Sequence, residues 1–447
     1  MRFALLPLLV VLALPVGAQP APPEAVLDNV RARVAAGESE GVFLGIVEPG
    51  GRWTWGDGRL SAERPVAPDA ATLFEIGSIT KAFTGLLLAE MATRDEVALD
   101  DPIAGYLPDS LDVAFADRVT LEHLATHTSG LPRLPGNFAP ADMSDPYADY
   151  TVEDLYAFLD GHTLEREPGA AYAYSNLGMG LLGHLLARHA GLSFEALLRE
   201  RVLDPLGLDD TVVTLRPDQQ ARMTTGHSAG QPVPLWAFPT LAGAGALRST
   251  GADMLRFAAA HLGLVETPLA EAMALARTPR AQAGHDSMAV GLGWHVRTGP
   301  NAEVVWHNGG TGGFRTFVGI DEAQRRGVVV LTNANLGMDD VGMHLLDPGL
   351  PLQAVAPTAD LAPETLARYV GRYQIAPGFV LTIAREEAQL TAQLTGQPPV
   401  RIYPASETEF FLKVVDARLT FRVDGEGTVE GLTLHQNGQD TAAQKIE

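Results

Sequence analysis

Two groups of strand patterns lie far apart in this 447-residue chain, and the stretch between them is mostly helical in pattern. Residues 41–60 read as a β-hairpin around a Glu-Pro-Gly-Gly turn, and further strand patterns follow at 290–334. Helical segments with Pro- and Gly-rich breaks dominate from about residue 78 to about residue 270. Because strands must pair, this order predicts one antiparallel sheet closed by distant segments, with a helical insert.

A change in the residue pattern of the sequence indicates a second domain. Four prolines, at 348, 351, 357 and 363, indicate a linker over residues 348–363. Beyond it, short alternating runs at regular spacing predict a separate all-β module over residues 364–447, a small barrel or sandwich. The main domain is therefore expected at residues 19–347.

The N-terminal segment and the net charge of the chain indicate where the protein acts and what it binds. Arg2, an apolar stretch over residues 3–14 and a small-residue site ending at Ala18 predict a signal peptide at residues 1–18. We therefore expect a periplasmic or extracellular protein that is not inserted in a membrane after cleavage. A net charge of −22 argues against nucleic-acid binding. The chain has no cysteine, which excludes disulfides and a thiolate nucleophile, and the oligomeric state stays open.

Lysine is almost absent from the chain, and Lys81 precedes the next lysine by more than 300 residues. It lies three positions after Ser78, within an apolar run at 78–93 that predicts a buried helix. Residues at that spacing share a helix face, and burial favours the neutral form of a lysine. An arginine could not lose its proton. Ser78 is thus a candidate nucleophile and Lys81 its base, although a helix-capping serine and a solvated lysine would give the same pattern.

Two further motifs could complete such a site. Tyr174 and Asn176 open another apolar helix, where a phenol can relay a proton and an amide can bind a substrate carbonyl. The segment 307–313 (His-Asn-Gly-Gly-Thr-Gly-Gly) lies between two strand patterns, and its glycines would allow close approach of a ligand to the backbone. Taken alone, the first motif is better explained as a common helix entry, and the second fits a glycine-rich hairpin turn equally well.

The three motifs in this order resemble the serine β-lactamase and penicillin-binding-protein superfamily, whose set is Ser-x-x-Lys, Tyr-x-Asn or Ser-x-Asn, and Lys-Thr-Gly. The runs 127–132 (His-Thr-Ser-Gly-Leu-Pro) and 291–294 (Gly-Leu-Gly-Trp) are similar to the class C β-lactamase branch. The resemblance covers about residues 25–340 and implies an α/β sandwich (α+β) with an antiparallel sheet and a helical domain. The tail resembles the lipocalin-like β modules often appended to such hydrolases.

The resemblance also implies roles for individual residues. Ser78 would be the acylated nucleophile, with Lys81 and Tyr174 sharing proton transfer, while Asn176 would orient the substrate's amide. His307 would stand at the lysine of Lys-Thr-Gly, with Asn308 at the threonine and Gly309 at the glycine. Gly310 would then supply one N–H of the oxyanion hole and Ser78 the other. No cofactor and no metal is expected.

His307 is the departure from the family pattern, because a histidine is mostly neutral at pH 7. Arg315 could restore the lost cation if its side chain turned inward. The expected function is that of an exported serine hydrolase acting on an amide-type substrate: a β-lactam, a D-amino-acid peptide or a related compound. The alternatives are a carboxylesterase of the same fold, a non-hydrolysing sensor of penicillin or peptidoglycan, and an enzyme forming a Schiff base on Lys81.

Overall fold

The computed structural model describes residues 20–284, 286–354, 359–376, 378–386, 389–397, 399–412, 417–436 and 439–446. The predicted signal peptide, at residues 1–18, lies outside the described residues. Part of the predicted linker is described, and its residues 348–354 and 359–362 form no helix or strand. None of the described helices is both long enough and apolar enough to cross a membrane.

An eight-stranded sheet forms the centre of the main domain, in the order β2-β1-β12-β11-β10-β9-β8-β7. All seven pairs of neighbouring strands in this sheet are antiparallel, and β1 pairs with β12 over the register Val42↔Thr332 to Val47↔Gly327. The predicted sheet closed by distant segments is therefore confirmed. Its strands are β1 (Gly41–Glu48), β2 (Gly51–Gly58), β7 (Ala281–Gln282), β8 (Met288–Val290), β9 (His295–Thr298), β10 (Glu303–Gly310), β11 (Arg315–Asp321) and β12 (Arg326–Thr332).

Helices surround this sheet and build the region beside it. They are α1 (Glu24–Ala35), α2 (Thr80–Thr93), α3 (Leu121–Ala125), α4 (Val152–Gly161), α5 (Asn176–Ala190), α6 (Phe194–Leu198), α7 (Asp204–Leu206), α8 (Pro217–Arg222), α9 (Ala242–Gly245), α10 (Gly251–His261), α11 (Ala270–Arg277), α12 (Asp339–Leu346) and α13 (Pro363–Ala367). Short 3-10 helices cover Gly77–Ile79 and Ile103–Tyr106, a π-helix covers Arg199–Leu203, and the small strands β3 (Leu73–Glu75), β4 (Gly226–Ser228), β5 (Gln231–Val233) and β6 (Arg248–Thr250) form two separate pairs.

The two faces of the sheet are buried by different helices, because successive side chains of a strand point to opposite faces. Val42, Leu44 and Ile46 of β1 belong to the core that the sheet shares with α1 and α12. Phe43 of the same strand joins the opposite core, which includes α2, α5 and α10. The main domain is therefore an α/β sandwich, as expected, and α2 lies inside the larger of its two cores.

The C-terminal module is a closed eight-stranded barrel whose strands follow chain order. Its first and last strands pair at Tyr373↔Lys445, and its core includes Tyr369, Phe410 and Phe421. The predicted β module is confirmed. The strands are β13 (Gly371–Ala376), β14 (Phe379–Glu386), β15 (Gln389–Leu394), β16 (Val400–Pro404), β17 (Glu409–Leu412), β18 (Ala417–Val423), β19 (Val429–Gln436) and β20 (Gln439–Lys445).

Candidate active site

Ser78 lies in a tight 3-10 turn that leads directly into α2. Gly77 has φ +49°, a left-handed conformation, and a Cβ at this position would come within 2.7 Å of the Gly310 backbone nitrogen. The turn is fixed by Thr80, whose Oγ1 donates to Gly77 O at 2.7 Å and accepts from Leu247 N at 3.1 Å. The turn thus holds Ser78 at the entry of a helix and against the end of β10.

Lys81 is fully buried, and its Nζ lies 2.9 Å from Ser78 Oγ. The same nitrogen donates to Ala244 O at 2.6 Å, a contact that bridges α2 and α9. Burial holds the pKa of Lys81 well below its usual range, and the positive charge of Arg133 lowers it further. A neutral amine at this distance can take the proton of the Ser78 hydroxyl, which is the arrangement that an activated serine requires.

Tyr174 is half-buried and lies next to both of these residues. Lys81 Nζ lies 4.9 Å from the centroid of its ring, and its hydroxyl interacts with the side chain of Ser78. Burial raises the pKa of the Tyr174 phenol, against a smaller lowering by its interaction with Ser78. The tyrosine is therefore held as a neutral phenol, which suits it to relay a proton rather than to serve as an anionic base.

Asn176 is the first residue of α5 and faces the cleft. The preceding Ser175 caps the helix, since its Oγ accepts from Gly178 N at 2.8 Å and donates to Pro132 O at 2.6 Å. The amide Nδ2 of Asn176 donates to Tyr147 Oη at 2.9 Å, while its Oδ1 is buried without a hydrogen-bond partner. A buried acceptor is costly to leave unpaired, so this oxygen is available to a donor on a ligand.

Strand β10 forms the opposite wall of the cleft. Asn308, Gly309 and Gly310 line it, and a Cβ on Gly309 would come within 1.9 Å of Ile76 O. The Nδ2 of Asn308 donates to the Asp339 carboxylate, which is half-buried at the start of α12. Only glycine at position 309 therefore allows β10 to pass this close to the turn that carries Ser78.

His307 points below the surface of the cleft and is 1% exposed. Its Nδ1 lies 2.6 Å from Asn308 O, while its Nε2 is buried without a partner. Burial holds the pKa of His307 well below its usual range, and neighbouring His295 and Lys81 lower it further. His307 is thus a neutral group at the expected position of the family's second lysine, and it is not among the residues that line the cleft.

The cleft itself has a volume of about 630 Å³, within the usual range for small-molecule sites. Ser78 opens into it, and its other walls include aromatic and apolar side chains. Its lining consists of Ser78, Arg133, Leu134, Phe138, Met143, Pro146, Tyr147, Tyr174, Asn176, Trp236, His295, Asn308, Gly309, Gly310, Thr311 and Arg315. Every lining residue belongs to the main domain.

Two basic side chains of the cleft, His295 and Arg133, had no part in the expectations from the sequence. His295 follows the Gly-Leu-Gly-Trp run, its ring lies 4.9 Å from that of His307, and burial lowers its pKa to about 4. Its Nε2 lies 3.0 Å from Tyr172 Oη. Arg133 directly follows the run that ends at Pro132, and its guanidinium carbon lies 5.1 Å from the centroid of the Tyr174 ring. The only sequence signal for either was its position next to a recognised run.

A family model described as Beta-lactamase matches residues 26–347, which is most of the chain. The chain belongs to the beta-lactamase family. The proteins of this family that it resembles include enzymes named as β-lactamases and carboxypeptidases, and the chain is a serine hydrolase. A second model, a domain of unknown function (DUF3471), matches residues 356–445.

Individual relatives give the same assignment. A β-lactamase of Escherichia coli is 30% identical over 317 residues, or 63% of this chain and 80% of the relative. The D-alanyl-D-alanine-carboxypeptidase/endopeptidase AmpH of Escherichia coli is 30% identical over 315 residues, 66% of this chain and 80% of AmpH. Penicillin-binding protein 4* of Bacillus subtilis is 24% identical over 422 residues, 87% of this chain and 91% of the relative.

A solved structure supports the fold. The β-lactamase/D-alanine carboxypeptidase from Pseudomonas syringae matches with a TM-score of 0.63 and 24% identity, covering 73% of this chain and 99% of that one. At this identity the similarity establishes the α/β sandwich, whereas the substrate has to be argued from the cleft of this chain.

Proposed function

We propose that the protein is an exported serine hydrolase that forms an acyl-enzyme on Ser78 and hydrolyses an amide-type substrate, such as a β-lactam or a D-amino-acid peptide. Ser78, Lys81 and Tyr174 are its catalytic residues, and Asn176, His307, Asn308, Gly309 and Gly310 form or support the substrate and oxyanion positions. The proposal includes a signal peptide at residues 1–18, a hydrolase domain at 19–347, a linker at 348–363 and a β domain at 364–447.

The observation that carries the proposal is the 2.9 Å separation of Lys81 Nζ and Ser78 Oγ in a buried setting. In acylation, the Ser78 proton passes to neutral Lys81 while Oγ bonds to the substrate's carbonyl carbon. The carbonyl oxygen gains charge, and the N–H groups of Ser78 and Gly310 are its proposed donors. The C–N bond then breaks, and the leaving nitrogen takes the proton from Lys81 through the Tyr174 hydroxyl.

Deacylation repeats these steps with water as the nucleophile. Lys81 takes a proton from the water, whose oxygen bonds to the acyl carbon, and the bond from that carbon to Ser78 Oγ breaks. The proton returns to Oγ, so that the free enzyme and a carboxylic acid are formed. No step requires a cofactor.

The unpaired Oδ1 of Asn176 supports the preference for an amide. An amide N–H in the acyl part of a substrate can donate to this oxygen, and a simple ester without such a group cannot. The neutral state of His307 leaves the β10 wall without the cation that the family places there, so recognition of a β-lactam's carboxylate would depend on another residue.

A substrate panel on the purified full-length protein tests the proposal. Turnover of a chromogenic cephalosporin or a D-amino-acid anilide, exceeding that of a short p-nitrophenyl ester in kcat/KM relative to uncatalysed hydrolysis, is the expected result. A preference for the ester would favour the carboxylesterase. A stable adduct without turnover would favour the non-hydrolysing sensor.

A further inference from the structure

The charged side chains that line the described cleft are both arginines, Arg133 and Arg315, and none of its lining residues is a carboxylate. This is unusual for a chain that has 54 acidic and only 32 basic residues. Positive charge in a cleft with poorly solvated walls attracts anions. The charge of the cleft therefore favours a negatively charged ligand, although the protein as a whole is acidic.

Arg315 is already engaged by its own surroundings. Its Nη1 donates to Thr311 O at 2.8 Å and to Phe314 O at 2.9 Å. Its guanidinium also lies close to Gly310 and within electrostatic reach of Asp339. The donors of Arg315 are thus partly used to hold the end of β10 and the start of β11 together.

Arg133 is differently placed, on the wall that carries Asn176. Its carbonyl oxygen accepts from Asn176 N at 3.0 Å and from Leu177 N at 3.2 Å, which fixes its backbone to the first turn of α5. Its side chain is exposed, and the guanidinium lies over the Tyr174 ring rather than against a carboxylate. A guanidinium held over an aromatic ring keeps its N–H donors directed outward, and these match a carboxylate in a two-point contact.

We propose that Arg133 is a specificity residue that binds a carboxylate in the acyl part of the substrate. The inference rests on the proposed acylation of Ser78, and it adds the substrate class: acyl donors that carry an anionic group on the Asn176 side of the cleft. In this arrangement Asn176 Oδ1 or Nδ2 contacts the amide nearest the scissile carbonyl, and Arg133 contacts the carboxylate further along the same acyl chain.

Two activated esters that differ in one charge test this inference. The mono-p-nitrophenyl ester of glutaric acid carries a carboxylate on its acyl part, and the p-nitrophenyl ester of glutaramic acid has a neutral amide at the same place. Activated esters acylate a reactive serine whether or not the natural substrate is an amide. The ratio of kcat/KM for the two esters is measured with full-length wild type, Arg133→Met, Arg133→Lys and the control Arg52→Met, in which an exposed arginine of β2 outside the cleft is changed.

Because a hydrogen bond to a charged group is stronger than a neutral one, we expect wild type and Arg52→Met to favour the anionic ester by roughly 10- to 100-fold. The ratio should fall towards one in Arg133→Met and be partly retained in Arg133→Lys. Arg133 also lowers the pKa of Lys81, but that effect acts on both esters equally and cancels in the ratio.

Four outcomes would overturn the inference, and they separate its own failure from a failure of the proposed acylation of Ser78. A wild-type ratio near one refutes carboxylate recognition, and a high ratio that survives in Arg133→Met assigns the recognition to another residue. If wild type releases p-nitrophenol from neither ester, or if Ser78→Ala retains full activity, acylation of Ser78 fails and the inference fails with it.

Discussion

Replacing Lys81 by methionine should remove activity. It should also raise the free energy of unfolding relative to that of wild type as the pH is lowered. The unfolded chain holds a proton on Lys81 up to a pKa near 10.5, whereas burial lowers the folded-state pKa well below this value. Between the two pKa values the unfolded state binds more protons than the folded state. The stability of the wild type therefore rises with pH in this window, by up to about 1.4 kcal/mol per pH unit.

Lys81→Met removes this dependence, so its free energy of unfolding should gain on that of wild type as pH falls from 10.5 towards the folded-state pKa. The lost donor to Ala244 O adds a pH-independent cost of about 1–3 kcal/mol. Loss of the base should lower kcat by about 10²- to 10⁴-fold. The relative stability of Lys81→Met should be greatest at the lowest pH, because there the wild type must bury a charged amine or deprotonate it on folding.

Urea unfolding from about pH 6 to about pH 9 measures the difference. Tryptophan fluorescence is a suitable probe, because all five tryptophans lie in the main domain, between Trp53 and Trp306. Arg52→Met, at an exposed position on β2, is the matched control and should run parallel to wild type. Parallel curves for Lys81→Met and wild type would mean that Lys81 keeps its proton in the folded state across this pH range, and the neutral base would be refuted.

Three other substitutions have defined outcomes in ester hydrolysis or urea unfolding. Gly309→Ala should lower kcat/KM by about 10²-fold, because a Cβ 1.9 Å from Ile76 O must displace β10; wild-type kinetics would contradict the close packing. Tyr174→Phe should lower kcat by about 10²- to 10⁴-fold, and an unchanged kcat would exclude a proton relay. Arg248→Met should cost roughly 3–5 kcal/mol of unfolding free energy by leaving buried Glu75 unpaired, and a change within error would show that carboxyl to be neutral.

The sequence predicted most of what depends on short spacing. Ser78 and Lys81 share one helix turn, so their proximity followed from the period of the helix alone. The second contact of Lys81, to Ala244 O, joins residues 163 positions apart and has no local signal. The sheet and the barrel were predictable as classes, because alternation shows which segments are strands but gives no register.

Register explains what the sequence did not show about the cleft. His295 meets the third motif because β9 pairs with β10 at Trp306↔His295, next to His307. The same pairing fixes which face each residue of β10 presents, and it places His307 below the surface while Asn308 lines the cleft. Arg133 is close to Tyr174 only because its backbone is bonded to the first turn of α5.

Mapping of the covalent adduct tests most directly whether Ser78 is the nucleophile. Full-length protein is treated with a fluorophosphonate, whose phosphonyl adduct persists where a penicillin adduct would be hydrolysed by the proposed activity, and the modified peptide is identified by mass spectrometry. We expect one adduct on Ser78 that is absent in Ser78→Ala and forms more slowly in Lys81→Met. An active protein whose Ser78 stays unmodified, or an adduct that forms equally fast without Lys81, would contradict this expectation.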